Sequence, residues 1–567
     1  MVIRTERNYF LIDKKGRGHI RLYNDSNRSR RGILRWQILD SAGNLVSDAE
    51  PVHLKVGSGK TKNIAFLFQP QNQSEYKISV KWQVAGNSIE EDIPLFGMLP
   101  ETGPAPSGEL KLRRISEIDC CGNPDENLFV DDGTSRVVDS EIGPYREGGG
   151  KRHSRFAYRL FFPKVQVPYL VSVVYPEDKP RTFEINFMIE GANVSVRDAE
   201  RGIMCGDEYP LDNKFKEHRF FVWPRTNNAA LVFMTIQDDH PAAVRSINTF
   251  EVAGGRLPKL KIKTPPGKKE RWVGIYFEDP TFFKCFGLPE ARTRIDYKEL
   301  PTAVDRLFEY LDYTGQNLLM YPLIFYQGPG FPSSSEPYNA PGYGMWERHP
   351  YNFFEYLLHR AEERKINLIA VANCMAVPSL MSLPGPDKNK LGAGEEDTYY
   401  NVLSDNSVRF SAFHQGPTCY NLLHPMVSEK TLAYMKDLFD RYSDFKAFKG
   451  PALRIHESSC LWMGDLATGY NDFAIKIFER ESGLRVPVSG TDPDRFRKRF
   501  EWLMGNKGEE WIEWLCKKLS AMYGKLAGHM KKNRRDAVLI FTFVGPWKDR
   551  LKVAAGEISY FELLLSR

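Results

Sequence analysis

Residues 367–373 read Asn-Leu-Ile-Ala-Val-Ala-Asn, an unbroken apolar run between two asparagines. A strand with one face in water alternates apolar and polar residues. A run without alternation belongs to a strand covered on both faces. Four other stretches share this grammar: Trp272-Val273-Gly274-Ile275-Tyr276-Phe277, Asn317-Leu318-Leu319-Met320-Tyr321-Pro322-Leu323-Ile324, Ala452-Leu453-Arg454-Ile455-His456 and Ala537-Val538-Leu539-Ile540-Phe541-Thr542-Phe543. Amphipathic stretches at 302–313, 352–365, 428–440, 473–482 and 509–531 separate them and predict helices. Strands alternating with helices are the signature of βα units on a parallel sheet. A closed barrel of this kind has eight strands in about 250 residues. Here five strands use up residues 271–543, and the last 24 residues offer one weak strand at 558–565. The expectation for 271–567 is a (β/α) TIM-type barrel, incomplete at its C-terminal end.

Upstream the pattern differs. Residues 1–98 hold short β-rich runs, among them Tyr9-Phe10-Leu11-Ile12, Ile33-Leu34-Arg35-Trp36-Gln37-Ile38 and Tyr76-Lys77-Ile78-Ser79-Val80-Lys81-Trp82, parted by Gly, Asn and Ser turns. They predict an antiparallel β-sandwich of immunoglobulin or fibronectin type. A Pro/Gly-rich linker follows at 100–108. Residues 109–256 then predict a second antiparallel sandwich of jelly-roll type, and a basic linker at 259–269 closes it.

Composition narrows the function classes. The 567 residues are 42% hydrophobic and 26% charged, which excludes disordered, collagenous and coiled-coil chains. A net charge of +6 over this length, without a long basic block, gives no sign of a nucleic-acid or membrane-surface partner. No apolar run reaches the ~20 residues of a membrane helix. The eight cysteines lack C-x-x-C or zinc-type spacing and read as buried thiols, and no His/Asp/Glu set has metal-ligand spacing, so neither metal nor other cofactor is expected. The start at Met1 builds no signal-peptide core, which predicts a cytoplasmic chain, or an exported one if the true start lies upstream. Gly57-Ser58-Gly59-Lys60-Thr61 ends like a phosphate-binding loop, but a strand rather than a helix follows, so a hairpin turn is expected.

The chemistry concentrates after the apolar strands, because loops at strand C-termini form the active face of βα barrels. Glu457 stands just beyond the run 452–456, where partial burial would raise its pKa and suit it to general acid work. Arg454 lies three residues earlier and would orient a substrate hydroxyl. An ion pair of Glu457 with Arg454 or His456 is the structural alternative. In the following loop Trp462 and Tyr470 suit stacking on a sugar face, Asp465 is a candidate second carboxylate, and Asn471 and Asp472 either bind hydroxyls or cap the helix at 473. Tyr276 and Glu278, Tyr321, Asn373 and His424 add hydrogen-bonding groups around the other strands, as a sugar or polyol pocket requires. His424, just before Pro425, reads equally as a residue that starts a helix.

On Asn421-Leu422-Leu423-His424-Pro425-Met426-Val427, Leu453-Arg454-Ile455-His456-Glu457 and Gly469-Tyr470-Asn471-Asp472-Phe473, the region 270–543 resembles the barrel glycoside hydrolases of the large acid/base-Glu clan. The β modules resemble accessory sandwiches that precede such barrels, the second being similar in layout to galactose-binding-like jelly rolls. In that clan the acid/base Glu follows strand four, and the resemblance carries this role to Glu457. The usual residue before it is Asn, where this chain has His456. The clan's nucleophile Glu follows strand seven, and the sequence shows no such strand. Two-carboxylate hydrolysis needs groups ~5–5.5 Å apart for retention or ~6.5–9.5 Å for inversion. Asp465 or Glu278 would supply the second only in an unusual geometry. The resemblance implies a multidomain carbohydrate-active protein with a poly- or oligosaccharide substrate. The competing expectation is a non-catalytic glycan-binding or scaffold protein with a degenerate or truncated barrel; a third is a fragment.

Overall fold

The computed structural model describes residues 1–12, 14–84, 86–100, 106, 108–122, 127–189, 199–260, 271–277, 282–288, 299–326, 328–336, 351–381, 399–405, 420–455, 459–461, 463 and 466–543. Beta sheets dominate its first half. In the N-terminal sandwich, Val2–Thr5, Gly16–Tyr23 and Thr61–Phe68 form one sheet. The facing sheet is ordered Tyr9–Leu11, Asn87–Met98, Glu75–Val84, Arg30–Leu39, Leu45–Asp48, with Val52–Val56 also on Arg30–Leu39. Alternating side chains close the core between them, Ile20 and Leu22 from one side and Leu34, Trp36, Ile78, Val80 and Trp82 from the other. The sandwich departs from the expected all-antiparallel form at one place. Tyr9–Leu11 runs parallel to the end of Asn87–Met98, with Tyr9 opposite Phe96. The turn at 57–60 also differs from a hairpin: Val52–Val56 and Thr61–Phe68 pair in different sheets, so the turn crosses the sandwich.

The second β region is antiparallel throughout its described pairs. Leu112–Asp119, Ser246–Val252, Tyr169–Pro176 and Phe215–Val222 form a four-stranded sheet. It faces a five-stranded one ordered Leu128–Asp131, Arg155–Phe161, Asn228–Thr235, Arg181–Ile189, Ala199–Cys205. Phe156, Tyr158, Val171, Val173, Ile185, Leu231 and Phe233 fill the space between them.

The third region is the parallel sheet that the apolar runs predict. Its strands are Gly274–Tyr276, Leu318–Tyr326, Asn367–Cys374, Phe448–Ile455 and Ile540–Phe543, parallel and in sequence order. Helices Leu300–Thr314, Phe353–Arg364 and Pro425–Tyr442 occupy the connections, and Asp472–Ser482, Arg495–Asn506 and Gly508–Asn533 lie between the fourth and fifth strands. Sequential order with a helix after each strand is the winding of a barrel rather than of a doubly wound sheet. Among the described residues the first and fifth strands do not pair, so a closed barrel is not formed there. Gly450, in the fourth strand, has φ +134° and lies so near the fifth that a Cβ would sit 2.0 Å from the Val538 carbonyl oxygen; only glycine fits.

The three regions share a core. Tyr9, Phe96 and Met98 of the first sandwich and Leu170, Phe221 and Trp223 of the second belong to the same cluster as the helices of the third. Glu355, at the start of helix Phe353–Arg364, accepts hydrogen bonds from the main-chain N–H of Asn8 (3.0 Å) and Tyr9 (3.2 Å). No helix among the described residues is long and apolar enough to cross a membrane.

Candidate functional site

Strand alternation sorts the parallel sheet into two faces. Leu319, Tyr321, Leu323, Leu368, Ala370, Ala372, Leu453 and Ile455 point into the large core shared with the helices. Ile369, Val371 and Ala452, with Leu318, Met320 and Ile540 packed against them, form a separate cluster on the opposite face. Continuing that alternation toward the strand C-termini brings Tyr276, Asn373, Arg454 and Thr542 onto this second face. The register pairs Tyr276 with Met320 and Arg454 with Thr542, and Asn373 follows Ala372, which pairs with Leu453. Asn373, Arg454 and Thr542 thus form a polar row across three strands above an apolar layer, while Tyr276 lies lower on the same face, level with Met320 and Ile369 of that layer. Asn373 and Arg454 are buried, Thr542 is half-buried and Tyr276 is exposed. Donors and acceptors in fixed positions over an apolar floor can orient a polyhydroxylated ligand.

The other candidates lie elsewhere. Tyr321 is on the helix-facing side, its ring packed among Phe282 (5.9 Å), Phe353 (5.9 Å) and Phe354 (6.4 Å). Tyr470 is fully buried, stacks on Trp511 at 5.7 Å and donates its hydroxyl to the Leu466 carbonyl, so its ring face is taken. Asn471 begins helix Asp472–Ser482, but its side chain does not cap it. The amide instead donates to the Tyr400 carbonyl (2.6 Å) and accepts from the Val402 N–H (3.2 Å), pinning segment 399–405. Asp472 bridges Arg495 at 3.0 Å and Arg499 at 2.6 Å, all three nearly buried. His424 starts helix Pro425–Tyr442, its ring 4.9 Å from Tyr399 and 5.5 Å from Phe473. Glu457, His456, Trp462, Asp465 and Glu278 lie outside the described residues.

The structure adds groups that the sequence reading passed over. Thr542 is the one hydroxyl in its apolar run, and counting alternate positions from Ile540 would have found it. Glu336 is 4% exposed and accepts from the Ser379 N–H (2.6 Å) and hydroxyl (2.8 Å). Burial raises its pKa, and the Ser379 bonds only partly offset this. Its charge reaches the buried hydroxyls of Tyr420 and Tyr434, which burial also pushes up and beside which Cys374 and Cys460 sit. Nothing in Ser333-Ser334-Ser335-Glu336 marked it beforehand. Among the described residues no group of three or more His, Cys, Asp or Glu side chains is arranged to hold a metal ion.

No family model matches the chain, and no curated protein matches it. Among solved structures it is similar to a β-glucuronidase of Bacteroides uniformis, at 10% identity and TM-score 0.17, over 43% of this chain and 28% of that one. The CBM35 of Cellvibrio japonicus Abf62 aligns at 7% identity and TM-score 0.18, over 24% of this chain and 92% of the module. A CBM22 tandem from Paenibacillus barcinonensis Xyn10C aligns at 10% identity and TM-score 0.19, over 42% of this chain and 77% of that one. The chain thus spans less than a third of the β-glucuronidase.

Proposed function

We propose that this is a carbohydrate-active, glycoside hydrolase-like protein of three domains, two β-sandwiches (1–98 and 109–256) and a barrel-type module (271–567). One observation supports it above the rest: Asn373, Arg454 and Thr542 share the non-helical face of the parallel sheet at its C-terminal ends, with Tyr276 lower on the same face. In this reading those groups hold an oligosaccharide, and Glu457, two residues beyond the end of strand Phe448–Ile455, is the general acid/base. A saccharide hydroxyl on Arg454 would receive a charge-assisted hydrogen bond, stronger than a neutral one. The test is turnover of a panel of oligosaccharides and aryl glycosides by the wild type and Glu457→Gln. Loss of activity at an unchanged melting temperature is expected, and unchanged turnover in the variant sinks the assignment.

A second reading, glycan binding without catalysis, draws on the second sandwich. On the outer face of its five-stranded sheet, Ala157, Ala230, Met188 and Val232 form a small apolar cluster. Asn186 pairs with Val232 on that face, is fully buried, and its Oδ1 accepts no hydrogen bond among the described residues. A buried acceptor without a donor costs about 1–3 kcal/mol, which a ligand hydroxyl would relieve. Isothermal titration with the same oligosaccharides separates the readings: binding by a wild type that turns nothing over favours the second.

A further inference from the structure

We propose that Cys374 and Cys460 form a reversible disulfide on oxidation, tying the end of the third parallel strand to the segment that follows the fourth. Their sulfurs lie 3.0 Å apart, and the Cys460 N–H donates to the Cys374 carbonyl at 2.9 Å. A main-chain hydrogen bond between two residues sets their Cα atoms in the range that disulfides span, about 4.4–6.8 Å. The surroundings hold both partners in place. Ser459 Oγ donates to the same Cys374 carbonyl (3.4 Å), Leu461 N–H donates to Ser459 Oγ (3.2 Å), and the Tyr523 hydroxyl donates to the Leu461 carbonyl. The bridge therefore forms with side-chain rotation and little backbone movement.

Cys120 and Cys121 make the contrast. They are neighbours in sequence, yet the Cys120 thiol contacts the Ile118 carbonyl and the Cys121 thiol the Arg245 carbonyl, whereas the Cys374 thiol, besides its 3.3 Å contact with the Ala376 carbonyl, also meets the Cys460 sulfur. Spatial approach, not sequence proximity, singles out 374 and 460.

Both thiols are fully buried, so the oxidant must be small and uncharged, and a hydroperoxide fits. One thiol, as thiolate, attacks the peroxide O–O bond and becomes a sulfenic acid while the first water leaves. The second sulfur attacks the sulfenic sulfur, the S–S bond forms as S–OH breaks, and the second water leaves. Two thiols lose two electrons and one hydrogen peroxide becomes two waters. The inference rests on this geometry alone and stands whether or not the chain acts on carbohydrate.

The full-length folded protein is treated with hydrogen peroxide, unfolded in N-ethylmaleimide and digested without reductant for mass spectrometry. A Cys374–Cys460 linked peptide, two hydrogens lighter than the sum of its parts, is expected. It should vanish with dithiothreitol and be absent from Cys374→Ser and from Cys460→Ser. Cys285 and Cys516, thiols elsewhere in the same region, should carry N-ethylmaleimide. Oxidised wild type in which Cys374 and Cys460 are both maleimide-labelled, or both over-oxidised without a cross-link, overturns the proposal. The wild-type comparison decides the matter even if a serine variant folds poorly.

Discussion

The two faces of the parallel sheet come from the same strands and behave differently. Toward the helices the three middle strands present nearly solvent-free apolar side chains, Ile275 and Phe541 of the edge strands are half-buried, and that layer merges with residues of both sandwiches into one core. On the opposite face three fully buried residues, Ile369, Val371 and Ala452, are flanked by half-buried Leu318, Met320 and Ile540. The polar row of Asn373, Arg454 and Thr542 stands above them, and Tyr276 sits level with Met320 and Ile369. A strand's period of two lets one run of sequence build a structural wall on one side and chemistry on the other. The first face holds the three regions together.

If that division is right, substitutions on the helix side cost most. Tyr321→Ala removes a ring packed against four phenylalanines. It should destabilise by about 3–5 kcal/mol in urea unfolding followed by fluorescence. A cost below about 1 kcal/mol would show that the aromatic layer repacks freely and that the helix side is no firmer than the other.

The same side holds the N-terminal sandwich. Glu355 accepts from the Asn8 and Tyr9 N–H groups and from the Asn352 amide, and it is fully buried. Glu355→Ala strands these donors, so a loss of about 3 kcal/mol is expected, together with faster proteolytic release of the N-terminal strands. Unchanged protease sensitivity would mean that the apolar contacts of Tyr9 and Phe96 alone secure the junction.

The buried carboxyl of Glu336 offers a test through pH. Its pKa is raised in the fold, so the folded protein holds this proton more tightly than the unfolded chain does. Its stabilising contribution is complete below the ordinary value of 4.5 and is lost as pH rises through the raised value. Glu336→Gln mimics the protonated state at every pH. Its melting temperature should match the wild type in acid and exceed it increasingly as pH climbs above 4.5. Parallel melting curves across that window would show that the Ser379 bonds fully offset the burial.

Much of this was legible in the sequence, for physical reasons that also explain the failures. The five apolar runs and the helical stretches between them were visible. Burial on both faces explains the middle three, whereas 272–276 is mostly exposed and 538–542 half-buried, so those two runs read as strands covered on both faces without being so. The uniformity of the runs also erased the phase. With both faces apolar, nothing in Leu318-Leu319-Met320-Tyr321 says which side meets the helices, so Tyr321 read as a site residue. Helix Arg495–Asn506 escaped because two of its four buried residues, Arg495 and Arg499, are arginines. Their burial depends on Asp472, which the sequence offered instead as a hydroxyl-binding group. Arg454, polar within a buried run, was the one position whose chemistry announced its face.

Met320→Ala gives the smallest expected effect and the sharpest comparison, since Met320 adjoins Tyr321 in one strand and points the other way. Met320 is half-buried in a layer with only three fully buried members. Truncating it should cost about 1 kcal/mol, against the 2–5 kcal/mol typical of a fully buried methionine. A small loss measured beside a large one for Tyr321→Ala would confirm two unequal faces. A loss as large as that of its neighbour would mean that the second face is as tightly filled as the interior of a closed barrel. The polar row would then stand over a sealed floor, with ligand access from the strand ends alone.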